Sequence, residues 1–197
     1  MMLTEQTTVP AAALPVQPLR DHLRLGTGFA DDDLQDAVLE SCLRGALGAI
    51  EGRTGKTLLS RSFGWSVTAW RDLGRQVLPV APVTAVTGFA IRDRTGVEAE
   101  VAIERYRLER DLHRPALVAS GLVLPTIPVS GSAEIAFDGG FGPAWTDVPA
   151  DLGQAVLRLA AHYYEHRHDM AVSDGLPGGV AALIERYRNV RLFGGLR

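Results

Sequence analysis

The 197-residue chain carries 20 basic and 23 acidic side chains, a formal net charge of −3, and is 46% hydrophobic against 22% charged. These proportions exclude a disordered, collagen-like or coiled-coil chain, and a chain of this length buries roughly 70% of its unfolded surface without disulfide or metal staples. A sequence pI near 5.9 argues against a general nucleic-acid coat, which needs a basic surface.

Residues 1–18 are Thr-, Ala- and Pro-rich, with Pro10, Pro15 and Pro18, and lack a hydrophobic period. They are expected to form a flexible or extended N-terminal arm. The opening Met1-Met2-Leu3-Thr4-Glu5-Gln6 has no basic region followed by an apolar run. No stretch approaches the ~18–20 continuous apolar residues of a membrane-spanning helix, so a soluble, intracellular product is expected. A short helix is expected over 17–23, with Leu19, Leu23 and Leu25 facing inward. Asp31-Asp32-Asp33 then places a capping oxygen and negative charge where a helix begins. Leu34, Val38, Leu39, Cys42, Leu43, Ala46, Leu47 and Ile50 recur at spacings of three and four, predicting an amphipathic helix that ends near Gly52–Gly55.

Between Thr57 and Asp147 the helical period disappears, and Gly and Pro interrupt short runs rich in Val, Ile, Phe and Trp. Strands are expected at 58–70, 76–79, 83–92, 106–109, 121–124 and 132–137, with a turn at Arg94-Thr95-Gly96. Helix returns after Pro149, at a position that can spare an N–H, with a stripe of Leu152, Ala155, Val156, Leu159, Ala160 and Tyr163 running to about His168. A Gly/Pro loop leads to a last helix carrying Val180, Leu183, Ile184 and Tyr187. The fold class is therefore α+β. A helical module over 19–56 and 148–190 carries a small antiparallel β-domain inserted at 57–147, and 191–197 is a separate tail.

Few segments suggest chemistry. His162-Tyr163-Tyr164-Glu165-His166 fits the H-x-x-E-H pattern of inverted zinc peptidases, in which two histidines share a helix face beside a Glu base. A metal-dependent hydrolase using His162, Glu165 and His166 is thus the alternative reading. It needs a third ligand, but after His168 no histidine remains and the only acids are Asp169, Asp174 and Glu185, of which Glu185 would have to fold back from the last helix. A helix C-terminus also favours histidines without any metal. Gly52-Arg53-Thr54-Gly55-Lys56-Thr57 falls short of a phosphate-binding loop because Ile50 stands where its first glycine belongs. A helix stop with a left-handed glycine cap is the better reading. Cys42, the single cysteine, permits no intrachain disulfide and lies on an apolar stripe, as a buried small hydrophobe would.

Lys56 is the only lysine, so the basic residues are almost all arginine. Codon bias in a GC-rich genome and protein–protein interfaces both produce such an excess. The segment from Arg186 to Arg197 stands apart, with Arg186, Arg188, Arg191 and Arg197, no acid, and Phe193 and Leu196 around Gly194-Gly195. A solvated tail has this composition. So does a docking peptide whose anchors fill partner pockets while arginines pair with carboxylates.

The order of elements, together with Leu19-Arg20-Asp21-His22-Leu23-Arg24-Leu25, Ile50-Glu51-Gly52-Arg53-Thr54-Gly55-Lys56-Thr57-Leu58-Leu59 and Tyr106-Arg107-Leu108, resembles the head–tail connector (adaptor) proteins of long-tailed phages and gene transfer agents. So do Ile135-Ala136-Phe137-Asp138-Gly139-Gly140-Phe141-Gly142, Val148-Pro149-Ala150-Asp151-Leu152 and Ala161-His162-Tyr163-Tyr164-Glu165-His166-Arg167. The similarity spans about residues 19–193. It implies a structural, non-enzymatic protein without a cofactor, assembled in the bacterial host cytoplasm and located in the neck of a virion or phage-like particle. Its partners would be its own copies in a ring, usually a dodecamer, the portal protein above, and a tail-side connector or terminator protein below. DNA would pass through the lumen without specific binding. Portal docking would fall to Arg186, Arg188, Arg191, Leu192, Phe193, Gly194, Gly195, Leu196 and Arg197.

Overall fold

The computed structural model describes residues 2–25, 32–167 and 176–188. The chain divides into two compact units, one of Met1–Pro10 with Thr57–Asp147 and one of Ala11–Lys56 with Val148–Arg197. The α+β class expected from the sequence is the class observed.

The first unit is built from strands β1 (Met2–Glu5), β2 (Arg61–Val67), β3 (Arg75–Val77), β4 (Val83–Arg92), β5 (Glu98–Glu100), β6 (Tyr106–Glu109), β7 (Ala116–Ala119) and β8 (Ser132–Gly139). They form a five-stranded sheet in the order β1-β2-β8-β4-β5 and a three-stranded sheet in the order β3-β7-β6. Every pairing between these strands is antiparallel. Alternation fixes the register. In β8, Ala133, Ile135 and Phe137 are buried and lie opposite Val67, Trp65 and Phe63 of β2. A one-residue slip would turn all of them outward. Phe63 stacks on Phe137 with ring centroids 5.6 Å apart, and Leu117 and Ala119 of the smaller sheet join the same core with Leu78 and Leu124. The turn after β4 is held by Asp93, whose Oδ1 accepts the N–H groups of Thr95 (2.8 Å) and Val97 (3.0 Å), while Gly96 takes a φ of +88°.

Two expectations are corrected here. Met2–Glu5 is not part of a flexible arm but the edge strand of the larger sheet, paired with Phe63–Ser66. Its side chains are all exposed, so it joins through backbone hydrogen bonds and leaves no hydrophobic alternation to read. The strand expected at 121–124 lies instead at Ala116–Ala119. Segment 121–124 bends away, with the Leu124 N–H donating to the Leu73 carbonyl at 2.7 Å. Its apolar composition suggested a strand, but Leu122 is 96% exposed.

The second unit contains α1 (Val16–His22), α2 (Asp32–Thr54), α3 (Ala150–Glu165) and α4 (Val180–Ile184), the last running into a 3-10 turn at Glu185–Tyr187. Leu39, Leu43, Ala46, Leu47 and Ile50 form the buried stripe of α2, which packs on α3 through Leu152, Ala155, Val156, Leu159 and Ala160. Val38, expected on that stripe, is 41% exposed, and Cys42 is half-buried at its margin. Leu19 of α1 is fully buried, and Arg20 beside it is buried and pairs with Asp36 of α2. A buried guanidinium needs such a partner, because leaving it unpaired costs several kcal/mol of desolvation (~3–5). α2 stops where its backbone turns left-handed. Gly55 has a φ of +66° and donates to the Glu51 carbonyl at 2.8 Å, while the Thr54 hydroxyl donates to the Ile50 carbonyl at 2.8 Å.

Candidate functional site

His162 and Glu165 occupy the last turn of α3, and His166 caps its C-terminus. The two imidazoles lie on one face with centroids 4.2 Å apart, as the four-residue spacing requires. His166 Nδ1 is 3.0 Å from the carbonyl oxygen of its own helix at His162, a local bond that orients the ring without any metal. Glu185, the candidate third ligand, accepts from Arg188 at 3.1 Å. Among the described residues no group of three or more His, Cys, Asp or Glu side chains is placed to hold a metal ion. His168, Asp169 and Asp174 lie outside the described residues. Burial pushes the Cys42 thiol above its ordinary range, against a smaller opposing pull from Arg167, which makes it a poor nucleophile at neutral pH.

Arg186 and Tyr187 are held in place by α3. Asp151 stands in the first turn of α3, where the helix dipole favours a carboxylate. The hydroxyl of the buried Tyr187 donates to Asp151 Oδ1 at 2.8 Å. Arg186 Nε lies 2.9 Å from Asp151 Oδ2, and the Arg186 guanidinium also donates to the Tyr187 hydroxyl and covers its ring. Burial is the main cause that raises the Tyr187 phenol above its ordinary value. Of the arginines singled out for docking, Arg186 is therefore engaged within the chain, and Arg188 pairs with its neighbour Glu185. Arg188 lines an open cleft of about 330 Å³ with Arg53, Leu176, Ala181 and Ile184. Two guanidinium groups and an apolar floor suit an acidic side chain flanked by aliphatic ones. Arg191, Leu192, Phe193, Gly194, Gly195, Leu196 and Arg197 lie outside the described residues.

Sequence reasoning missed three features. The Asp151–Tyr187–Arg186 cluster joins residues 36 positions apart, a separation that no short motif reveals. Arg53 was assigned only to a helix stop. The exposed apolar loop tips of the β unit were either called strand or passed over.

Neither a protein-family model nor a curated protein matches the chain. Solved structures do. A chain in the neck of an empty gene transfer agent particle computed with C6 symmetry is 54% identical over 99% of both chains, with a TM-score of 0.91. A chain in the virion of a native gene transfer agent particle is likewise 54% identical over 99% of both, with a TM-score of 0.88. A third, from the neck of a native particle computed with C12 symmetry, is 50% identical over 99% of both, with a TM-score of 0.86.

Proposed function

We propose a function from one premise: the chain belongs to the family of head–tail connector proteins found in the necks of gene transfer agent particles. It is a structural neck component. In the finer reading it is the adaptor itself, a ring of twelve copies in keeping with the C12 neck, seated beneath the portal and continuing the DNA channel toward the tail. The observation that supports this reading is 54% identity along 99% of both chains to a chain in the neck of a gene transfer agent particle.

Physical features agree with it. A ring is built from heterologous contacts, in which each subunit presents two different faces and the rotation closes. A formal charge of −3 per copy, repeated around a lumen, gives phosphates little to hold, so DNA slides where a basic channel would grip it through many salt-dependent contacts. The portal-facing role falls to the cleft of Arg53 and Arg188 and to the segment 191–197. The tail-side partner is a connector or terminator protein. No catalytic or metal chemistry is assigned to the chain.

The test is deletion of residues 191–197. The truncated protein is expected to fold with unchanged thermal stability and to lose attachment to portal-bearing heads. Heads that still gain tails with the truncated chain would remove the docking assignment.

A further inference from the structure

The β unit carries two apolar features that its topology places at opposite ends of the same strands. One is an open cleft of about 460 Å³ whose lining includes Pro82, Val83, Leu112 and Phe141, with Arg110 and Asp111 at its edge. The other is a knob of loop tips. Leu73, Leu122 and Val123 are exposed, Leu122 almost completely. The two loops are tied together by the Leu124 N–H on the Leu73 carbonyl and the Ala119 N–H on the Gly74 carbonyl at 2.9 Å.

Three strands run between these features. β7 starts at Ala116, just after the loop that contains Leu112, and ends at Ala119, just before the knob. β6 runs antiparallel to it, with Tyr106 opposite Ala119 and Glu109 opposite Ala116, and delivers Arg110 to the cleft. β3 leaves the knob at Arg75, opposite Val118, and reaches Val77, opposite Ala116. Cleft and knob are therefore a strand's length apart, at about 3.4 Å per residue, and open from opposite ends of the smaller sheet.

We propose that the Leu122 knob of one copy of this chain seats in the Pro82–Leu112–Phe141 cleft of the next copy. The proposal rests on the ring reading above, because a closed ring requires each subunit to carry one face and its complement at separate places. A second copy fits better than another partner because one unit supplies both halves, and the charges match as well. Arg71 and Asp72 flank the knob, Arg110 and Asp111 flank the cleft, and each pair offers one charge of each sign to the other. All four side chains are exposed. The Asp111 carboxylate is fixed as an anion by the N–H groups of Arg114 (2.6 Å) and His113 (2.7 Å), and Arg110 is anchored on the Thr84 carbonyl at 2.9 Å. The volume lies within the range of sites that enclose several apolar groups, ~300–1,000 Å³, and so has room for Leu122 together with Val123.

The experiment uses particles assembled with the full chain bearing Leu112→Cys and Leu122→Cys on a Cys42→Ser background. Purified necks are treated with a short bis-maleimide and run on denaturing gels. The double variant is expected to give a ladder of covalent multimers, and each single variant only monomer. Monomer alone from double-variant necks that show a ring in electron micrographs would overturn the contact while leaving the ring reading standing. Dimers from Leu122→Cys alone, or its capture of a different neck protein, would also overturn it. Unsubstituted necks without a ring of this chain would remove the ring reading and the contact together.

Discussion

In the β unit the deepest side chains come from distant parts of the chain: Phe63 stacks on Phe137, and Trp65 lies opposite Ile135. In the helical unit Leu39, Leu43, Ala46, Leu47 and Ile50 form a stripe along a single helix. The first arrangement depends on backbone positions that bring distant strands into register, whereas the second depends on a spacing repeated every turn. Glycines show the difference most sharply. Gly140 has a φ of +131°, and a Cβ there would lie 2.6 Å from the Ser60 Cα and N. Gly45 of α2 has ordinary helical geometry, and a Cβ there would meet only the Tyr163 ring, at 3.7 Å.

The largest expected effect tests the long-range core. Phe137→Ala removes a fully buried ring that contacts β2 and β4 neighbours, and a loss of about 3–5 kcal/mol in denaturant unfolding is expected. A loss below 1 kcal/mol would show that the β unit does not depend on this pairing. Gly140→Ala is next, with at least ~3 kcal/mol lost to backbone strain and the Ser60 clash. Gly140→Asn, which tolerates positive φ better, should recover no more than a small part because the clash persists. Tyr187→Phe should cost about 1.5–3 kcal/mol, because the hydroxyl donates to the Asp151 carboxylate and accepts from the Arg186 guanidinium, both charged. Its pH signature is specific. The folded state holds the neutral phenol with a pKa above the ordinary 10, so this contribution is complete below pH 10 and is lost as pH rises through the folded value. Unfolding measured between pH 8 and pH 11.5 should show a shallower alkaline loss in the variant than in the parent. The smallest effect has the opposite sign: Gly45→Ala should stabilise the chain by about 0.5–1 kcal/mol, because alanine replaces the poorest ordinary helix former at a site with room for it. A destabilised Gly45→Ala protein would erase the contrast with Gly140.

The same contrast explains what was legible in the sequence. The stripe of α2 could be read from spacing, with Val38 misplaced because it lies at the stripe's edge. β4 could be read because Pro82 on one side and Asp93-Arg94-Thr95-Gly96 on the other bound its apolar run. β1 could not. Its partner begins 56 residues after it ends, its side chains are exposed, and it is anchored through the backbone and through polar pairs such as Arg61 with Glu5 at 3.0 Å. At the candidate site the arginine cluster was visible, but its division was not. Asp151, which engages Arg186, belongs to a helix that starts 36 residues earlier, and Arg53, which shares a cleft with Arg188, comes from α2. The Leu122 knob reads as strand because three apolar residues in a row, Leu122, Val123 and Leu124, look the same whether a sheet pairs them or a loop exposes them.

If this chain forms the ring that joins head to tail, as proposed, electron microscopy of necks from particles assembled with it will show twelve copies in a closed ring between portal and tail-side protein, with a central opening wide enough for duplex DNA. A neck in which this chain is absent, or present as isolated copies that do not encircle the channel, would contradict the proposal.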